Sequence, residues 1–253
     1  GVPRVHAVGL VGGDPFGALL RRQLEELGAD VTGMLDCQED WQTMVYAKPV
    51  VGDEEQNRFD FGSFNVPTAA TIDALAERLD AAAAACQAVV MNQQVPGGVS
   101  TPRMIERLND IVSRHRDRVF LVDSRDRPEL YDGNALKLNA RELARLCGQP
   151  RPVLSEVPAR EVAPLASRLS RERGERVFVT CGADGMLVAE PDALWHVPGI
   201  APGGPIDPVG AGDTVTAALA AVLGTGGEAL EAALLANVAA SVVVRKLRTT
   251  GTA

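Results

Sequence analysis

Short β-rich runs alternate with helical stretches along most of this 253-residue chain, and that alternation leaves few architectures open. "RVHAVGLVG" (4–12) is a β-branched run closed by glycine, and "DPFGALLRRQLEELG" (14–28) keeps apolar residues at helical spacing up to a glycine stop. A helix predicted over 71–86 leads into the strand "AVVMN" (88–92), and one over 101–115 into "RVFLVD" (118–123). The pattern continues with "ALKLN" (135–139), helices over 140–148 and 163–174, the strand "RVFVTCG" (176–182), a hairpin over 185–198, and helices over 213–223 and 228–240. Such a series predicts an α/β protein, a three-layer α/β/α sandwich around a mostly parallel central sheet. Residues 41–65 break the rhythm with short strands and alternating aromatics, which predicts a small β lid. The sequence has no internal repeat and no low-complexity linker, so one domain over 1–253 is expected.

Apolar residues make up 46% of the chain but aromatics only 4%, so the core must be aliphatic and alanine-rich. A formal charge of −8 argues against nucleic-acid or anionic-membrane surfaces and favours small-molecule partners. The most apolar stretches are too short or too polar to span a bilayer and no signal-peptide pattern opens the chain, which predicts a soluble, cytoplasmic protein. Cys37, Cys86, Cys147 and Cys181 are widely spaced, with no C-x-x-C pair and no nearby histidine, and read as reduced, mostly buried thiols.

The stretch with chemical content is "DPVGAGDTVTAALAAVL" (207–223). A glycine-rich turn at a helix start aims unpaired N–H groups and the positive end of the helix dipole at one point, which suits an anion. Gly210, Ala211 and Gly212 fit that role. Asp213 then falls in or just before the first turn, where it either caps the helix or takes a proton from a group brought close. Asn139-x-x-Glu142 is a capping-box pattern, and "VTCGADG" a strand-end turn. Asn237 and Ser241 lie one turn apart on a helix, where packing explains them equally well. Neither G-x-G-x-x-G after the first strand nor G-x-x-x-x-G-K-[ST] occurs, so dinucleotide-binding and P-loop readings are set aside.

Taken together, these motifs resemble the ribokinase-like, or phosphofructokinase-B-type, carbohydrate kinases, whose pattern is Asp-x-x-Gly-Ala-Gly-Asp before a helix. The resemblance implies ATP-dependent phosphorylation of a sugar or sugar phosphate with Mg2+. Asp213 would be the base, and the amides of Gly210, Ala211 and Gly212 the anion hole. Asp207 would mark a loop that often holds a monovalent cation such as K+. Asn139 and Glu142 match an N-x-x-E motif for magnesium-bound water and phosphate. Thr180, Gly182 and Gly185 match a T-x-G-x-x-G nucleotide segment, and Asn237 and Ser241 fall on the adenine-side helix. Within the family, "NRFDFG", "LVDSR", "LKLNAREL" and "ANVAASVVVRKLRTTGTA" are similar, in order, to the kinase domain that acts on D-glycero-D-manno-heptose 7-phosphate.

That likeness makes Lys48, Arg58 and Asp60 candidates for gripping the substrate or its phosphate, against a solvated lid face as the alternative. It also implies a homodimer through the β lid. Two departures stand out. Family members open with a strand ending in Asp and a Gly-Gly…Asn sugar-binding motif, and this chain starts after both, as a fragment would. The subgroup's Asp-Tyr-x-Lys-Gly is here "NQQVPGG", which leaves Asn92 and Gln93 to hydrogen-bond a sugar hydroxyl. The reading from another class is a catalytically weak sugar- or nucleotide-binding regulatory protein on the same scaffold. Asp213 speaks for catalysis, because binding needs the amides but no base.

Overall fold

The computed structural model describes residues 2–247 apart from 53, 96–97, 151–156 and 202. Two residues of the "NQQVPGG" stretch and the carboxy-terminal part of "VVVRKLRTTGTA" therefore lie outside the described residues. The chain groups into two compact units, 1–85 with 95–111 and 86–94 with 112–253.

The first unit holds β1 (His6–Leu10), α1 (Pro15–Glu26), β2 (Asp30–Leu35), β3 (Val45–Ala47), β4 (Val50–Val51), β5 (Glu54–Glu55), β6 (Phe59–Phe61), α2 (Ala69–Ala85) and most of α3 (Pro102–Arg114). β1 and β2 pair in parallel, with α1 as the crossover, and α2 packs on both strands. Asp14 starts α1. Its Oδ1 accepts the N–H groups of Phe16 and Gly17, and its Oδ2 that of Thr43. Partial burial pushes its carboxyl up, but the backbone bonds from Thr43 and Gly17 outweigh this and hold it below the usual carboxylate range. The predicted strands of 41–65 are present as two antiparallel pairs, β3 with β6 and β4 with β5.

The second unit holds β7 (Ala88–Gln93), β8 (Val119–Ser124), β9 (Ala135–Asn139), α4 (Ala140–Leu146), α5 (Ala159–Arg173), β10 (Val177–Thr180), β11 (Met186–Glu190), β12 (Ala193–Val197), α6 (Ala211–Gly224) and α7 (Ala229–Val243). Its six-stranded sheet runs in the order β12-β11-β10-β9-β8-β7. β7 to β10 are parallel, and the β11–β12 hairpin adds antiparallel. Side chains alternate across the sheet. Leu121, Ala135, Phe178, Met186 and Val188 meet Val215, Leu219 and Leu223 of α6 and Ala229, Ala232, Ala233 and Ala236 of α7. α4 packs against β9 and α5 against β10 and β11, and the Ser170 hydroxyl of α5 reaches the Ala189 carbonyl. The result is the expected α/β/α sandwich. Each large aliphatic side chain buried this way contributes about 1.5–3 kcal/mol.

Two expectations need correction. Helix α5 starts at Ala159 rather than 163, and Pro164 lies inside it. Its first N–H is met by Asp184 Oδ2 at 2.7 Å, from 25 residues away in the chain, so a local start signal was absent. Only Cys181 is buried, Cys86 and Cys147 are half-buried and Cys37 is exposed; all four are free thiols. Among the described residues no helix is long and apolar enough to cross a membrane.

Candidate active site

The predicted site residues of the second unit gather at the carboxyl ends of its parallel strands, where open α/β sheets bind ligands. Parallel register sets Asn92 beside Asp123 and Asp123 beside Lys137. Thr180 pairs with Asn139 at the ends of β10 and β9, and the Thr180 hydroxyl lies 3.4 Å from the Leu138 carbonyl.

Helix α6 opens over this edge. Gly210 precedes it with φ 79°, a left-handed conformation that only glycine adopts without strain. The Ala211 N–H is turned back onto the Pro208 carbonyl at 3.2 Å, so it is already engaged. The next two N–H groups, of Gly212 and Asp213, have no acceptor among the described residues, and no side chain caps the helix. Of the Gly210, Ala211 and Gly212 amides read from sequence, that of Ala211 is engaged, while those of Gly212 and the adjoining Asp213 have no acceptor among the described residues. The Asp213 carboxylate is exposed, with no hydrogen bond or ion pair among the described residues. Its place in the first turn suits a negative charge, and it is open to a ligand. Asp207 begins the preceding loop, with Oδ1 accepting the Val209 N–H and its own N–H donating to the Val244 carbonyl.

Helix α4 opens at the end of β9 with a closed start. Asn139 Oδ1 accepts the N–H groups of Arg141 and Glu142, and Glu142 Oε2 accepts that of Asn139 at 2.8 Å. The capping box is formed, and it leaves the second oxygen of Glu142 without a partner among the described residues. No cluster of three His, Cys, Asp or Glu is placed to hold a metal among those residues. A magnesium ion here would draw most of its shell from phosphate oxygens and water, with one carboxylate nearby, and that arrangement suits Mg2+.

The turn after β10 brings Gly182, Gly185 and Asn237 into one neighbourhood. Gly185, at φ 90°, lies so close to the next turn that a β-carbon would stand 2.1 Å from the Val197 carbonyl oxygen. Asn237 Nδ2 donates to the Pro198 carbonyl of that turn at 2.5 Å, and His196 Nε2 meets the Asp184 carbonyl at 2.6 Å. Ser241 sits one turn further on α7 and donates to Val238 within the helix. Burial, with Asp184 adding to it, pushes the Cys181 thiol up to about 12. That thiol is inert packing beneath the turn.

The sugar-side candidates are less available. Gln93 is buried, its Nε2 donates to Asp126, and its Oε1 accepts from Ser124 and the Asp126 N–H. Asn92 is exposed and accepts from Gln94. In the first unit Arg58 forks onto Asp60 at 2.6 and 2.8 Å and stacks 4.2 Å above the Tyr46 ring. The hydrogen bond to Asp60 holds its guanidinium above its ordinary value. Lys48 is exposed on the same segment.

Sequence reasoning missed one feature of this edge. Lys137 and Asp123, both buried, are joined at 2.7 Å directly under the α6 opening. The signal was a lone lysine in the apolar run "ALKLN", which a buried strand tolerates only with a partner.

A family model described as pfkB family carbohydrate kinase matches residues 2–253. The bifunctional protein HldE of Gluconobacter oxydans is 30% identical over 252 residues, covering 97% of this chain and 50% of that protein. HldE of Azorhizobium caulinodans is 32% identical over 249 residues, again 97% and 50%. This chain spans about half the length of the curated relatives it matches. Among solved structures, phosphofructokinase-2 of Escherichia coli in complex with potassium has a TM-score of 0.73 at 19% identity, over 98% of this chain and 77% of that one. Ribokinase of Thermotoga maritima has a TM-score of 0.70 at 20% identity, over 96% and 75%. With a family model running from residue 2 to 253 and relatives at 30% identity and above along nearly all of it, the chain belongs to the pfkB family of carbohydrate kinases.

Proposed function

We propose that this chain transfers the γ-phosphoryl group of ATP to a hydroxyl of a sugar or sugar phosphate. The observation that carries this reading is the opening of α6, with two N–H groups that have no acceptor among the described residues beside an exposed Asp213 carboxylate. Asp213 receives the acceptor hydroxyl's proton as the new O–P bond forms and ADP departs. The N–H groups of Gly212 and Asp213 stabilise the charge on the phosphoryl oxygens, and the helix dipole acts in the same sense. The nucleotide lies along Thr180, Gly182 and Gly185 toward Asn237 and Ser241. Glu142, with Asn139 beside it, would hold the magnesium of Mg-ATP through water, and the ion would supply charge neutralisation. The loop at Asp207 is the proposed K+ site.

Heptose 7-phosphate is the first acceptor to test, given the similarity to HldE proteins and the subgroup patterns along the chain. The exposed pair β3–β6, with Tyr46 and Phe59, is the proposed lid and homodimer contact. A panel of sugars and sugar phosphates with Mg-ATP, scored for ADP release and product mass, tests the reading. Turnover on one or more is expected; ligand binding with no turnover on any would replace it with the regulatory reading. Repeating the positive assay in K+ and in Na+ tests the cation loop, with faster turnover expected in K+.

A further inference from the structure

The sheet beneath α6 carries a buried ion pair that the proton transfer and anion hole described above leave unused. Lys137 is 6% exposed and Asp123 3%, with Nζ donating to Oδ2 at 2.7 Å. The Thr216 hydroxyl, on the second turn of α6, lies 2.9 Å from the same Oδ2 and 3.0 Å from the Gly212 carbonyl. A β-carbon at position 212 would stand 3.2 Å from Lys137 Nζ. Strand β8, strand β9 and the opening of α6 are thus tied together at one point.

Stability gives a poor account of this choice of residues. A buried ion pair is often no more stable than apolar side chains of the same volume. A cation under a helix N-terminus also faces the positive end of the dipole. An ammonium offers three donors, and Asp123 is the hydrogen-bond partner that Nζ has among the described residues. An anion resting on the N–H groups of Gly212 and Asp213 would turn this unfavourable placement into a favourable one.

We propose that Lys137 is a positioning residue for phosphoryl transfer. Through Asp123 and Thr216 it fixes the height of the Gly212 and Asp213 amides over the sheet, and its charge biases that point toward an anion. The inference rests on the kinase reading, since it assumes that the transferred group lies on those amides. It predicts that losing the pair weakens a nucleotide carrying a γ-phosphate more than one lacking it.

The test compares binding of Mg-β,γ-imido-ATP and Mg-ADP by calorimetry, alongside kcat and sugar KM. Removing Lys137 alone strands a buried carboxylate and risks unfolding. The working variant is therefore Lys137→Met combined with Asp123→Leu, where the Thr216 hydroxyl keeps the Gly212 carbonyl as acceptor. ADP affinity should stay within about twofold, imido-ATP should weaken roughly tenfold, and kcat should fall roughly 10- to 100-fold at unchanged sugar KM, as misplacement of a catalytic group does. Thr216→Val, which cuts the tie to Asp123 without touching a charge, should shift imido-ATP affinity in the same direction by about threefold. It supplies the result if the double variant does not fold. Equal effects on both nucleotides, or none, would overturn the proposal. Selective loss of imido-ATP in a protein that phosphorylates no sugar would sink the kinase reading and keep Lys137 only as a positioner of amides that bind a γ-phosphate. Normal turnover in a folded double variant would do the reverse.

Discussion

Helices α4 and α6 both begin at the carboxyl edge of the same sheet, yet one start is closed and the other open. At α4, Asn139 and Glu142 bond each other's backbone N–H groups, so the end that would attract an anion is already satisfied. At α6 the Gly212 and Asp213 N–H groups have no acceptor among the described residues, and a glycine with φ 79° stands where a capping side chain would be. The contrast extends further. Asp14, Thr68, Thr101, Asp184 and Glu231 each accept an N–H at the start of α1, α2, α3, α5 and α7. Among the described residues α6 is the α-helix without such an acceptor. A capped start contributes stability; an uncapped one over an ammonium gives that up and leaves donors for a ligand.

Substitutions at the two starts should therefore differ in whether they cost stability: little at Asp213, measurably at Asn139. Asp213→Asn should lower turnover by roughly 10²–10⁴, the contribution of a positioned base, with nucleotide affinity and melting temperature nearly unchanged. Steady-state kinetics and calorimetry check this, and near-normal turnover would remove Asp213 from the reaction. At the closed start, Asn139→Ala should cost about 0.5–2 kcal/mol in urea unfolding, because two N–H groups lose their acceptor. If unfolding does not change, the capping box is not the anchor of α4.

A smaller effect is expected at α1. Because the Asp14 carboxyl is held low in the folded chain, its contribution is complete above the unfolded value near about 3.9 and is lost as pH falls through the folded value. Asp14→Ala should destabilise by about 1 kcal/mol at pH 7, with the difference shrinking below about pH 4. A difference that persists in acid would mean that packing, not the ionised cap, is at stake. Smallest of all is a chemical contrast: iodoacetamide at neutral pH should modify the exposed Cys37 and spare Cys181, whose thiol burial keeps protonated. Rapid modification of Cys181 in the folded protein would show the β10 turn opening.

Much of this layout was legible in the sequence, for identifiable reasons. Runs such as "RVFLVD" and "RVFVTCG" are buried on both faces, and their shortness and β-branched and aromatic content mark them as strands where periodicity cannot. "GAGD" reads as a glycine-led helix start because its chemistry is local, and α6 opens there. What escaped depends on partners distant in the chain. The first turn of α5 is satisfied by Asp184, and the lysine of "ALKLN" is made tolerable by Asp123, fourteen residues earlier on the neighbouring strand. Which N–H groups stay free also hinged on tertiary detail, since the Pro208 carbonyl takes that of Ala211. Gln93 looked like a sugar ligand in sequence, and the fold spends its amide on Ser124 and Asp126.

Amide hydrogen exchange at the two helix starts, followed by NMR with and without Mg-β,γ-imido-ATP, tests the central claim most directly. In the free protein Gly212 and Asp213 should exchange quickly and Arg141 and Glu142 slowly, since the latter are bonded to Asn139. On saturation with the nucleotide, the Gly212 and Asp213 amides should become protected by roughly tenfold or more while the α4 pair stays as it was. Saturated nucleotide binding that leaves Gly212 and Asp213 exchanging at their free rates would contradict the assignment of α6 as the phosphoryl site.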